Sequence, residues 1–191
     1  MRKKKIAVFA SGSGTNAEKI FQHFKGHEQI EVSLLCCNKP GAYVLERAQR
    51  FDIPSYVFSR NEFYDSTVVS DRLKTEGIDL IVLAGFMWLV PDYLVADFED
   101  RIINIHPALL PKFGGKGMYG MHVHKAVKQA GETVSGITIH FVNNRYDEGN
   151  IIEQFTCQLT PSDTPEVIAR KVQKLEHENY PKVIDNLVLK Y

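Results

Sequence analysis

The chain has 191 residues, 23 Lys and Arg against 23 Asp and Glu, and 44% hydrophobic residues. That length fits a single domain over 1–191 able to bury about 70% of its surface without disulfide or metal staples. A formal charge of zero argues against a nucleic-acid binder and for small-molecule partners. The longest apolar stretch, 80–90, falls short of the roughly 18 residues that cross a bilayer. The basic start at Arg2 to Lys5 precedes too short an apolar run for a signal peptide, so a soluble, cytoplasmic protein without membrane partners is expected. Cys36 and Cys37 are neighbours without C-x-x-C spacing, and with Cys157 they read as buried thiols.

In chain order, Lys5–Ala10 reads as a strand, and Thr15–Phe24 as a helix with apolar residues at Ala17, Ile20, Phe21 and Phe24. Glu31–Cys37 is a strand, Ala42–Phe51 a helix, Ser55–Phe58 a short strand and Ser66–Glu76 a helix. Asp79–Leu83 is a strand of the kind buried on both faces of a parallel sheet. A brief helix starts at Pro91, taken as its first residue, and Arg101–Ile105 is the next strand. The prolines and glycines of Pro107–Gly120 exclude a helix or central strand. A helix over His122–Ala130, strands near Ser135–Val142 and Ile151–Gln158, and a helix from Pro165 to about Leu187 complete the chain. The fold class is therefore α/β: a Rossmann-like doubly wound sheet with a parallel N-terminal half, 1–100, and a mixed C-terminal half, 101–191.

Ligands of such sheets bind beyond the carboxyl ends of the strands, and four ends carry chemistry. Ser11-Gly-Ser-Gly-Thr-Asn16 sets glycines before a helix N-terminus, which suits a phosphate; a plain N-cap at Thr15 or Asn16 is the alternative. Phe86-Met-Trp-Leu-Val90 is either core or the wall of a flat heterocycle's pocket. Asn104 and His106, two apart on a strand, share a side, so a carboxamide donor and an imidazole converge before Pro107. Asp147, near His140, either partners His106 or sits in an ordinary turn. His122-x-His124 diverges on a helix and is no metal pair; no metal site is expected.

These segments, with Gly136-Ile-Thr-Ile-His-Phe-Val142, Asp147-x-Gly149 and Glu176-His177 before Tyr180-Pro181, resemble the folate-dependent glycinamide ribonucleotide transformylases of purine synthesis over nearly the whole chain. The resemblance implies formyl transfer from 10-formyltetrahydrofolate to glycinamide ribonucleotide, with no metal, by a monomer or homodimer. It implies that Gly14, Thr15 and Asn16 hold the substrate phosphate and Glu176 the ribose, with Gly12, Ser13, Gly85 and Pro107 completing the substrate site. It implies that Phe86, Met87, Trp88, Leu89, Val90 and the loop Asn143, Asn144, Arg145, Tyr146 and Asp147 enclose the pterin, with Asn104 touching both substrates. Asn104, His106 and Asp147 form the implied catalytic set, in which Asp147 keeps His106 charged.

Three departures stand out: Trp88 replaces a common arginine, an arginine usual near Ser66 is missing, and Gly114–Gly120 is longer than the usual turn, suggesting a lid or tail contact. Relatives that formylate an amino sugar or hydrolyse formyl-folate are the alternatives. Those that formylate tRNA usually carry an extra domain, for which 191 neutral residues leave no room.

Overall fold

A computed structural model describes residues 2–191. The elements are β1 (Lys4–Ala10), α1 (Thr15–Phe24), β2 (Ile30–Cys37), α2 (Val44–Arg50), β3 (Ser55–Val57), α3 (Arg60–Tyr64), α4 (Val68–Glu76), β4 (Leu80–Leu83), α5 (Asp92–Asp97), β5 (Ile102–His106), α6 (Met121–Gln129), β6 (Val134–Phe141), β7 (Ile151–Gln158) and α7 (Pro165–Val188). They build one seven-stranded sheet in the order β3-β2-β1-β4-β5-β6-β7. Strands β1 to β5 pair in parallel, and β6 and β7 join antiparallel. The parallel first half and mixed second half follow from the change in rhythm after β5.

Strand alternation sends side chains to opposite faces. From β1, Ile6, Val8 and Ala10 pack with α1 and α7 residues such as Ile20, Phe21, Val183 and Ile184. Ala7 and Phe9 pack on the other face with Phe63, Leu73, Leu94 and Phe98 from α3, α4, α5 and the residue after α5. All four residues of β4 are buried, as its unbroken apolar run requires. Burial pushes the Cys36 thiol far above its ordinary value, consistent with an inert core thiol.

Two local readings are corrected. Helix α3 precedes α4 where one helix from Ser66 was expected: Ser59 accepts from the Glu62 N–H while the Glu62 carboxylate accepts from the Ser59 N–H, and this capping box starts a helix of only five residues. Pro91 is the N-cap of α5, in extended conformation, rather than its first helical residue.

The strand order reverses between β1 and β4, so the loops after these strands splay to either side of a crevice. They stay tied at its floor: the Ser11 N–H donates to the Gly85 carbonyl at 3.1 Å, and the Met87 N–H to Ser11 Oγ at 2.9 Å. From α7, the buried Tyr180 hydroxyl donates to the Leu83 carbonyl at 3.0 Å and lies 3.4 Å from that of Ile103, fixing the ends of β4 and β5 against the helix.

Gly136 in β6 lies where an added Cβ would stand 2.0 Å from the Phe155 carbonyl oxygen, a backbone atom that cannot swing aside. Gly136→Ala is expected to lower stability by about 2–3 kcal/mol, whereas Gly41→Ala, with open space around it, should change it by under about 0.5 kcal/mol. Urea unfolding midpoints check this, and equal midpoints for the two variants would contradict the close β6–β7 approach.

Candidate active site

At the carboxyl ends of β1, β4 and β5 lies a cavity of about 750 Å³, walled by residues 85–90, Asn104 to Pro107, 115–121, 145–147 and the α7 residues Gln173 and Glu176. Of the residues singled out in the sequence, Asn16, Gly85, Phe86 to Val90, Asn104, His106, Pro107, Arg145, Tyr146, Asp147 and Glu176 line it. Gly12 to Thr15 form the adjoining loop rather than the wall. Asn143 and Asn144 also lie off the wall: the Asn143 Oδ1 accepts the Arg145 N–H at 2.9 Å and turns back onto its own loop.

Asn104 and His106 arrive together on β5, and His106 is buried. Its Nε2 lies 2.8 Å from the Phe113 carbonyl oxygen, an acceptor only, so this nitrogen carries a proton. Its Nδ1 is 3.5 Å from Asp147 Oδ2. Burial lowers the His106 pKa; Asp147 and the Phe113 carbonyl push it up but do not offset burial. A carbonyl at Nε2 and a carboxylate beside Nδ1 are the partners of an imidazolium, so Asp147 and Phe113 favour the charged form that burial opposes.

Asp147 sits at φ 57°, the left-handed region that non-glycine residues seldom occupy. That conformation turns its carboxylate into the site, where Oδ2 also accepts the Gly115 N–H at 2.9 Å and Oδ1 stands 3.6 Å from His140 Nε2. Burial raises the Asp147 pKa, but His140, His106 and the Gly115 N–H together bring it below the ordinary value, so it is a carboxylate. The loop Pro107–Gly120 is thereby bound to the site at two points, through Phe113 on His106 and Gly115 on Asp147. Gly114 has no room for a side chain there, since its Cβ would lie 2.5 Å from Leu110 Cδ2 and 3.3 Å from Asp147 Cβ.

The sequence reading did not assign His140 to the site. It faces Asn104 across the β5–β6 ladder, and its Nε2 lies 3.2 Å from Asn104 Nδ2. Its Nδ1 is 2.7 Å from the Phe141 carbonyl, which assigns that nitrogen the proton and leaves Nε2 to accept from the Asn104 amide. A buried histidine in an otherwise apolar strand was the available signal. His124, set aside as half of a metal pair, is buried and lines the cavity with its Nδ1 unpartnered; burial, and then His106, lower its pKa. His122 is exposed.

On the phosphate-loop side, Gly14 at φ 73° is the N-cap of α1 with no side-chain cap, so neither Thr15 nor Asn16 caps the helix. Asn16 Nδ2 instead donates to Glu176 Oε2 at 3.0 Å, leaving Asn16 Oδ1 buried without a partner. Burial raises the Glu176 carboxyl to about 6, against the lowering effect of Asn16. Gln173, one helical turn before Glu176, was also missed; its Nε2 lies 3.5 Å from Thr15 Oγ1.

At the opposite rim Trp88 takes part in an aromatic cluster with Phe58, Phe63, Tyr64 and Phe86. The Arg60 guanidinium lies over the Tyr64 and Trp88 rings, 4.7 and 5.7 Å from their centroids, so a cation stands beside Trp88 even though that position itself is not arginine. Among the described residues no helix is long and apolar enough to cross a membrane.

The arrangement is one glycine-rich turn at a helix N-terminus, one cavity with aromatic residues in its wall, and an amide–imidazole–carboxylate set between them. Comparisons with known proteins cover nearly the whole chain. The Formyl transferase family pattern spans residues 4–184. The chain is 40% identical over 190 residues to the phosphoribosylglycinamide formyltransferase of Bacillus subtilis, covering 97% of this chain and 95% of that one. It is 44% identical over 189 residues to the chloroplastic phosphoribosylglycinamide formyltransferase of Arabidopsis thaliana, covering 96% of this chain but only 65% of that relative's length. The crystal structure of phosphoribosylglycinamide formyltransferase from Bacillus halodurans superposes with a TM-score of 0.86 at 41% identity, covering 97% of this chain and 95% of that one. The corresponding structure from Anaplasma phagocytophilum gives 0.89 at 33% identity, covering 99% and 88%. With the family pattern extending over nearly every element from β1 to α7, this chain belongs to the formyl transferase family.

Proposed function

We propose that the chain transfers the formyl group of 10-formyltetrahydrofolate to the amine of glycinamide ribonucleotide, the reaction its relatives are named for. The observation that carries this reading is the convergence of Asn104, His106 and Asp147 between the aromatic cavity and the phosphate turn. The N–H groups of residues 12–16 receive the phosphate, Glu176 the ribose hydroxyls, and the apolar segment 86–90 with Arg145, Tyr146 and Asp147 the pterin. Gly85 and Pro107 bound the space between, where the glycinamide amine meets the formyl carbon.

The amine nitrogen attacks the formyl carbon, forming the new C–N bond, and negative charge gathers on the formyl oxygen. The Asn104 amide donates to that oxygen, and the positive charge carried by His106 stabilises it. His140 holds the amide by accepting one of its protons, which leaves the other for the oxyanion. The bond to folate N10 then breaks, and the proton lost by the amine ends on N10, carried by His106 or a water. Positive charge that develops on His106 during this relay is balanced by Asp147 directly behind it. The scheme draws on side chains, backbone N–H groups, substrate atoms and water, and the reading is metal-independent.

The direct test gives purified protein 10-formyltetrahydrofolate and, in parallel, glycinamide ribonucleotide, an amino sugar nucleotide, or no acceptor, and follows the folate absorbance. Turnover only with the ribonucleotide is expected; turnover with the amino sugar or without acceptor would replace the reading by one of those activities.

The Glu176 carboxyl supplies a pH-dependent check. Its pKa in the folded chain, about 6, is raised from 4.5, so ionisation costs stability as pH rises from about 4.5 to 6 and the full cost remains above. Glu176→Gln keeps an acceptor for Asn16 and removes the ionisation. Its Tm should equal that of the wild type below pH 4.5, move above it between pH 4.5 and 6, and stay above it, while ribonucleotide affinity falls about tenfold. A Tm difference that does not change with pH would contradict the buried, titrating carboxyl.

A further inference from the structure

The turn 11–16 carries no cationic side chain, yet its geometry is that of an anion receptor. Three successive carbonyls are drawn to its far side. The Gly12 carbonyl accepts the Val44 N–H at 3.1 Å, the Ser13 carbonyl accepts Arg47 Nε–H at 2.7 Å, and the Gly14 carbonyl accepts the Glu18 N–H at 2.9 Å. Among the described residues, none of the N–H groups of residues 12–16 is taken by a hydrogen bond. In successive peptides, fixing the carbonyls on one side turns the N–H groups to the other, where they form a concave nest for an anion.

Two of the three ties come from backbone N–H groups; the Ser13 tie alone depends on a side chain. Arg47 is well placed to make it. Its Nη1 is paired with the Glu18 carboxylate on α1, its guanidinium lies 4.9 Å from the Tyr43 ring centroid, and its side chain is only 16% exposed. Val44, one turn earlier on α2, fills the space beside Gly14, where an added Cβ would stand 2.3 Å from its Cγ2. The start of α2 is thus packed against the back of the turn, and Arg47 clamps Ser13 to it while linking α2 to α1.

We propose that Arg47 is a positioning residue for phosphate recognition: by holding the Ser13 carbonyl away from the anion, it keeps the turn's N–H groups convergent without itself contacting the phosphate. Its charge is met by Glu18 and its Nε–H by Ser13, so the nest binds through oriented dipoles. The inference rests on the phosphate reading of the turn given above. It identifies α2, which contributes nothing to the cavity wall, as the element that sets preference for a phosphorylated acceptor.

The test compares wild type, Arg47→Met and Arg47→Lys in three measurements: kcat/KM with glycinamide ribonucleotide, kcat/KM with its dephosphorylated riboside, and inorganic phosphate binding by calorimetry. Losing one hydrogen bond of this kind corresponds to about a tenfold change. In both variants the ribonucleotide-to-riboside ratio of kcat/KM should fall about tenfold, through KM, and phosphate affinity should weaken in step. The lysine variant should fail to rescue, because an ammonium cannot reproduce the guanidinium's simultaneous reach to Ser13 and Glu18. An unchanged ratio, an equal loss with both acceptors, or full rescue by lysine would overturn the proposal. Absence of any turnover in the wild type would sink the formyl-transfer reading instead, and phosphate binding would still decide the role of Arg47.

Discussion

The carboxylate of Asp147 lies between two imidazoles and a backbone amide, 3.5 Å from His106, 3.6 Å from His140 and 2.9 Å from the Gly115 N–H. Two regions of the chain meet on it: the end of β5 with the loop that follows, and the end of β6 with the turn before β7. A buried carboxylate is costly unless it is paired and hydrogen-bonded. Here the Gly115 N–H satisfies it directly, and His106, proposed to act on substrate, stands beside it as its ionic partner when protonated. The left-handed backbone at Asp147 is the local strain that this arrangement requires, and such strain persists where surrounding contacts over-determine it.

Sheet topology supplies the rest. Reversal of strand order between β1 and β4 opens the crevice, and Tyr180 from α7 ties the ends of β4 and β5 together so that Asn104 and His106 project from a fixed edge. The antiparallel entry of β6 then sets His140 opposite Asn104. The chain carries no net charge, so an anionic substrate has to be met by local groups. The N–H groups of residues 12–16 are the ones proposed for that role, and at the other side Arg60 lies over the Tyr64 and Trp88 rings.

How much of this could be read from the sequence depended on the range of the interaction. The strands and the doubly wound order were legible because short β-prone runs alternate with helical spacings, and because β4 is an apolar run too continuous for one-sided burial. Asn104 and His106 were legible because their spacing on a strand fixes a common side. Helix α3 escaped because its capping box, Ser59 with Glu62, was followed by a helix shorter than hydrophobic periodicity can reveal. His140 escaped because its role comes from strand register, which a sequence does not print. The burial that opposes a charge on His106 was not legible, because it comes from the packing of β5 and the loop after it rather than from the spacing of residues. Asn143 was assigned to the pterin loop through the resemblance, and the hydrogen bond its Oδ1 accepts from the Arg145 N–H was not legible in the sequence.

The central claim is that Asp147 acts on the reaction through His106 and has no independent contribution. A double-mutant cycle of Asp147→Asn and His106→Gln on kcat/KM measures this most directly, since coupled residues lose additivity. The account predicts that each single variant loses about a hundredfold or more and that the double variant is no worse than His106→Gln alone. A double variant whose loss is the product of the two single losses would contradict it.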